Sequence, residues 1–195
     1  MKNTVKAKLK NLSLKNKNEI LIETGIAFVL ITICVVSRLM PHIPNVTALA
    51  ATALLGVRLF RQTWVPFVVT LVALLISDAW IGFHSTSAVV YGAMGIILLM
   101  NFRRVKKFSW QSLAVSSFSA STWFFIITNL GVWYYDEMYE KSLQGLINCF
   151  TLAIPFYWTQ MAGDFLYIFS LFGIFEAIRS MMQSRTDIEA DPENS

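Results

Sequence analysis

Charge is scarce in this sequence, and histidine scarcer still. Only 14% of the 195 residues are Asp, Glu, Lys or Arg, against 55% hydrophobic side chains, and there are two histidines, two cysteines and five prolines. So little charge excludes an ordinary soluble domain, in which roughly a quarter of residues are charged. A mean hydropathy of +0.55 indicates an integral membrane protein instead. Cys34 and Cys149 lie inside apolar stretches without CxxC spacing, which argues against a disulfide framework and for buried packing. The only metal-ligating candidates, His42, His84, Asp78 and Asp164, have no HExxH or other tight spacing. No GxSxG elbow supports hydrolysis and no Walker A sequence supports ATP use, so no enzyme activity is expected. The net charge of +4 sits in short clusters between apolar spans, without the aromatic-interleaved basic patch of a nucleic-acid binder.

What is present reads as one membrane domain with two polar ends. Residues 1–18 carry six lysines among Asn and Ser and read as a basic cytoplasmic tail. The first apolar segment comes late and runs longer than a signal-peptide core, so it is expected to stay in the mature chain. Six helices are predicted over residues 19–180. They run from Ile20 to Val36, from about Asn45 to Phe60, from Trp64 to Ile76, from Ala88 to Met100, from Ser112 to Leu130 and from Trp158 to Ile178. Pro155 is expected to separate the last of these from a short interfacial helix. The second helix is rich in alanine, which permits close helix contact. Residues 181–195 end in Asp187, Glu189, Asp191 and Glu193 and read as a disordered acidic tail.

Orientation follows from the basic residues. Fourteen of the 16 fall in the N-terminal tail, around Arg58 and Arg61, in Arg103 to Lys107, or after Ile178; only Arg38 and Lys141 fall in the alternate loops. The positive-inside rule then places both termini in the cytoplasm, with six spans and three outward loops. This brings distant polar residues to one depth. Arg38, His42, Asn45 and Thr47 lie at the first outward turn, Asp78, Trp80 and His84 at the second, Asn129, Trp133 and Tyr134 at the third, and Gln160 and Asp164 in the outer part of the last helix.

An ionisable group in a bilayer costs at least ~2.5 kcal/mol on insertion scales, so Asp78 and Asp164 should face the bundle interior or a water-filled cavity, with Arg38 as the nearest partner. Two readings fit this set. In one, Arg38 pairs with an aspartate or snorkels, Asn45 and Asn129 cap backbone, and the histidines sit wet at the interface. In the other, mixed polar groups among aromatic surfaces form a small-molecule pocket.

Several motifs carry a resemblance: Arg38-Leu-Met-Pro-His-Ile-Pro-Asn-Val-Thr47 before an alanine-rich helix, Ser77-Asp78 with Gly82-Phe83-His84, Ile127-Thr128-Asn129-Leu-Gly-Val-Trp133, Tyr139-x-Lys141-x-Leu143-x-Gly145, and Gly163-Asp164. Over residues 25 to 178 the chain resembles a family of bacterial six-helix membrane proteins known only as a domain of unknown function. That family is similar to the substrate-binding S components of energy-coupling-factor (ECF) vitamin transporters, including solitary vitamin B12 types. The resemblance implies a multi-pass protein of the bacterial inner membrane that binds a water-soluble nutrient near the outward helix ends, without a resident cofactor. It also implies an ECF-type energising module as partner, docking on small-residue surfaces such as Ala48 to Gly56. If a side chain ligated a corrinoid cobalt, it would be His84, since the outward loop has no cysteine. A scaffold that organises other envelope proteins through its basic face is the alternative of a different class.

Overall fold

The computed structural model describes residues 2–40, 43–107 and 109–190, with the side chains of those from 17 to 184. Among the described residues all regular structure is helical, in six elements: α1 (Lys2–Leu39), α2 (Leu49–Leu59), α3 (Val65–Ile81), α4 (Ser87–Lys106), α5 (Trp110–Tyr135) and α6 (Leu143–Ala190). Four segments are long and apolar enough to cross a membrane: Lys17–Leu39, Ser87–Lys106, Trp110–Tyr135 and Leu143–Ser184. Large apolar side chains such as Phe28, Leu99 and Leu166 are exposed around the outside, which lipid, and not water, would solvate.

α2 is the centre of the bundle. It touches all five other helices, and Leu49 through Val57 are all buried. Its small side chains are what let five neighbours approach at once. The stripe from Ala48 to Gly56, expected to dock a partner, is therefore turned inward and covered by the protein itself. With 11 residues the helix rises about 16 Å, roughly half of a ~30 Å hydrocarbon core.

Polar contacts show that successive helices run in opposite directions. At one end, the Ala48 N–H before α2 donates to Ser37 Oγ of α1 (3.0 Å), and Tyr91 Oη of α4 donates to Asp78 Oδ2 of α3 (2.7 Å). At the other, Lys106 Nζ donates to the Phe60 carbonyl (2.8 Å) just beyond α2, while Arg58 reaches back to the Lys106 carbonyl (3.3 Å), so each side chain satisfies backbone at the other helix's end. Arg58 also lies 3.6 Å from Glu176 of α6, and the Arg61 N–H donates to Glu23 of α1 (3.2 Å). This second end holds the described basic clusters and is the basic pole; the first is the Arg38 pole.

Two helices depart most from the sequence expectation. α1 continues back to Lys2, through the segment read as a tail, because no proline interrupts it before Pro41. α6 runs unbroken from Leu143 to Ala190 with Pro155 inside it, so the predicted break is not there. The proline removes one backbone bond and crowds the Thr151 carbonyl. Packing holds the two halves together: Phe125 of α5 contacts Phe150 on one side of the proline and Tyr157 on the other, at centroid distances of 5.5 and 4.8 Å, and Thr122 shares a 2.9 Å hydrogen bond with Tyr157. Tertiary contacts of this kind commonly keep proline-containing membrane helices continuous. Beyond Ile178 no proline occurs until Pro192, so the helix carries on to Ala190.

Candidate functional site

A short central helix leaves the Arg38 pole unfilled. Above Leu49 and Ala50, where α2 begins, lies a cavity of about 300 Å³. An adjoining cavity of about 350 Å³ opens toward α5 and α6, and Arg38, Asn45, His84, Phe124 and Gln160 line both. The walls come from α1, the 43–48 loop, α3 to α6 and the first turn of α2. Phe124, Phe125, Phe156 and Tyr157 provide aromatic surface. The size and the mix of apolar wall with convergent polar groups fit a small-molecule site.

The 43–48 loop forms part of this wall by close packing. Asn45 takes a left-handed conformation (φ 66°), which asparagine tolerates better than most residues. Thr159 Oγ1 of α6 donates to the Pro44 carbonyl (3.2 Å). A Cβ at Gly163 would stand 3.1 Å from Val46 Cα, so Gly163 is the position that lets the loop lie against α6.

Charge is arranged unevenly. Arg38, at the end of α1, forms an ion pair with Asp78 on α3, whose other oxygen accepts from Tyr91. The Asp78 side chain is 3% exposed and that of Arg38 15%. Arg38 Nε is buried without a hydrogen-bond partner. Asp164 of α6 pairs differently: its Oδ2 accepts from Ser121 Oγ of α5 (2.7 Å), and Gln160 Nε2 donates to the Ser121 carbonyl (3.4 Å). Thus of the two aspartates assigned to Arg38 as partners, Asp78 takes it, while Asp164 lies in the cavity with neutral hydrogen-bond partners.

Of the ten residues singled out from sequence, seven line these cavities: Arg38, Asn45, Asp78, His84, Asn129, Gln160 and Asp164. His84 follows the end of α3, with its N–H donating to Ser87 Oγ (2.9 Å). Asn129 Nδ2 donates to the Phe125 carbonyl within α5 (2.7 Å). Trp80 does not join them. It is two residues from Asp78, about 200° round the helix, and is 83% exposed on the outer face. Trp133 lies outside the lining too, with Nε1 donating to the Glu140 carbonyl (3.0 Å), where it braces the α5–α6 turn. His42 lies outside the described residues. Among the described residues no three His, Cys, Asp or Glu side chains are grouped to hold a metal ion.

The Family of unknown function (DUF6580) matches residues 18–186 of the chain. The chain belongs to this family. The matched stretch contains every lining residue of both cavities, so the site is part of what DUF6580 covers and lies in no appended segment. It accords with the resemblance to a family of unknown function. No curated protein and no solved structure matches the chain.

Sequence reasoning passed over Thr86, Ser87, Tyr91, Ser121, Thr128 and Tyr157 as site residues. Hydroxyl residues are common in membrane helices, where they bond to the carbonyl four residues back, as Thr128 does to Phe124, so polarity alone does not mark them. Thr128 had a signal in its place beside Asn129. Ser121 had none, because its role depends on the rotation of α5 against α6.

Proposed function

We propose that this DUF6580 chain is a substrate-binding membrane subunit or solitary transporter for a small water-soluble nutrient, a vitamin among the candidates. The observation that carries the reading is the pair of adjoining cavities, in which an arginine with an open N–H, a buried carboxyl, three amides and aromatic walls converge inside an otherwise apolar bundle. Polar and ionisable groups are costly inside a membrane protein and mark ligand or ion paths when they face an internal cavity. No enzymatic step is proposed.

In this reading all six helices cross the bacterial inner membrane, α2 together with the 43–48 loop. The basic pole faces the cytoplasm, where positive charge is retained, and the Arg38 pole faces outward. Size, helix number, small-residue packing and cavities at the Arg38 pole support a likeness to an ECF S component. An energising module of ECF type would meet the basic pole, since the α2 stripe is covered. Single cysteines at Lys106 and Gln183 should resist membrane-impermeant reagents added to intact cells, while one at Glu137 should react. Labelling at position 106 from outside would reverse the orientation.

The functional test is mass spectrometry of small molecules extracted from detergent-purified protein. A binding subunit should carry a stoichiometric compound that fits the cavities. Its consistent absence would favour the scaffold reading, in which the basic face does the work and the cavities hold only water.

A further inference from the structure

The cavity above α2 is unbalanced in charge. Its charged side chains are Arg38 and Asp164, but Arg38 is committed to Asp78 next door. Asp164 is 5% exposed, and none of the four ion pairs among the described residues includes it. Its hydrogen-bond partners, the Ser121 hydroxyl and the Gln160 amide, are both neutral. The first turn of α2 also faces the cavity and contributes about half a positive charge, less than a full carboxylate carries. What remains is a buried carboxyl at Asp164 without a cationic partner, an open donor at Arg38 Nε and an aromatic wall at Phe124.

We infer that the pocket takes a small organic monocation, with a charged N–H donor on Asp164, a neutral hydrogen-bond acceptor toward Arg38 Nε and a flat apolar part against Phe124. This rests on the reading of the cavities as a ligand site and adds the charge class of the ligand. An anion would meet Asp164 unscreened. A neutral ligand would leave the carboxyl without a counter-charge.

Three compounds that share one ring and differ in charge provide the test: tyramine (cation), N-acetyltyramine (neutral) and 4-hydroxyphenylacetate (anion). Their binding to the purified full chain in detergent is measured by isothermal titration calorimetry. Tyramine should bind about tenfold or more tighter than either partner, and Asp164→Asn should abolish that preference. Asn retains an acceptor for Ser121; should the variant fail to fold, the ranking in the wild type still decides. Equal affinities, as a carboxyl carrying its own proton would give, or preference for the anion overturn the charge assignment and leave the pocket standing. If none of the three binds, the charge of a co-purified compound decides: a cation supports the inference and a neutral molecule or anion overturns it. No binding and no co-purified compound together remove the pocket reading itself.

Discussion

Arg38→Met is expected to be the most damaging single substitution in the chain, lowering stability by about 3 to 5 kcal/mol, the usual cost of removing one partner from a buried ion pair. The asymmetry of the pair is the reason. Asp78 is almost fully enclosed, with Tyr91 as its remaining donor, whereas Arg38 borders both cavities. Without the guanidinium, the aspartate is left charged in the bundle; without the aspartate, the guanidinium still meets the cavity. Asp78→Asn should therefore cost less than Arg38→Met. The combination should recover more than half of the loss, because Asn keeps an acceptor for Tyr91 and carries no charge. Thermal unfolding in detergent, followed by the monodisperse fraction on gel filtration, measures all three. A double variant no better than Arg38→Met would mean that packing of the arginine stem, and not charge, sets its value.

Gly145→Ala should be the second largest effect, about 1 to 3 kcal/mol or more from overpacking. A Cβ at this position would lie 2.0 Å from the Glu140 backbone oxygen, and backbone cannot step aside as a side chain can. That carbonyl is held in place: Trp133 Nε1 donates to it, and Lys141 Nζ ties the same turn to the Trp133 and Asp136 carbonyls. Ser142 caps the start of α6, its Oγ accepting from the Gly145 N–H (3.1 Å) and its carbonyl from Leu146 (3.0 Å). An added methyl must displace this turn, and Trp133 with it. The loss should appear as a lower unfolding temperature, with Trp133→Phe in the Gly145→Ala background costing less than in the wild type. Full additivity of the two changes would place the strain elsewhere.

Much of the arrangement was readable because a polar group in an apolar chain needs a reason. Arg38, Asp78 and Asp164 stand out against their neighbours, and the alternation of basic clusters fixes which loops share a pole. From that alone, seven of the polar residues now seen around the cavities were grouped at one depth. Depth, however, is only one coordinate. Trp80 shares the level of Asp78 but faces away, and Trp133 shares that of Asn129 but braces a turn, because rotation about the helix axis is set by packing that an all-round apolar pattern does not encode. The same ambiguity hid the choice of Arg38 between two aspartates. α2 was readable as small-residue-rich, which suits a surface for a partner as well as a centre for the bundle; only the closeness of five neighbours distinguishes these. Pro155 misled because its local cost is real, yet Phe125 bridging Phe150 and Tyr157 supports the helix from outside it.

If the Arg38 pole holds a small molecule, filling that space should expel it. Gln160 lines both cavities, so Gln160→Trp places an indole where the ligand would lie while leaving the Arg38–Asp78 pair and the basic pole untouched. Native mass spectrometry of wild type and variant, released from the same detergent, should show a defined small-molecule adduct on the wild type and its loss from Gln160→Trp at unchanged folded yield. An identical adduct on both proteins, or none on a wild type that is folded and monodisperse, would contradict the account.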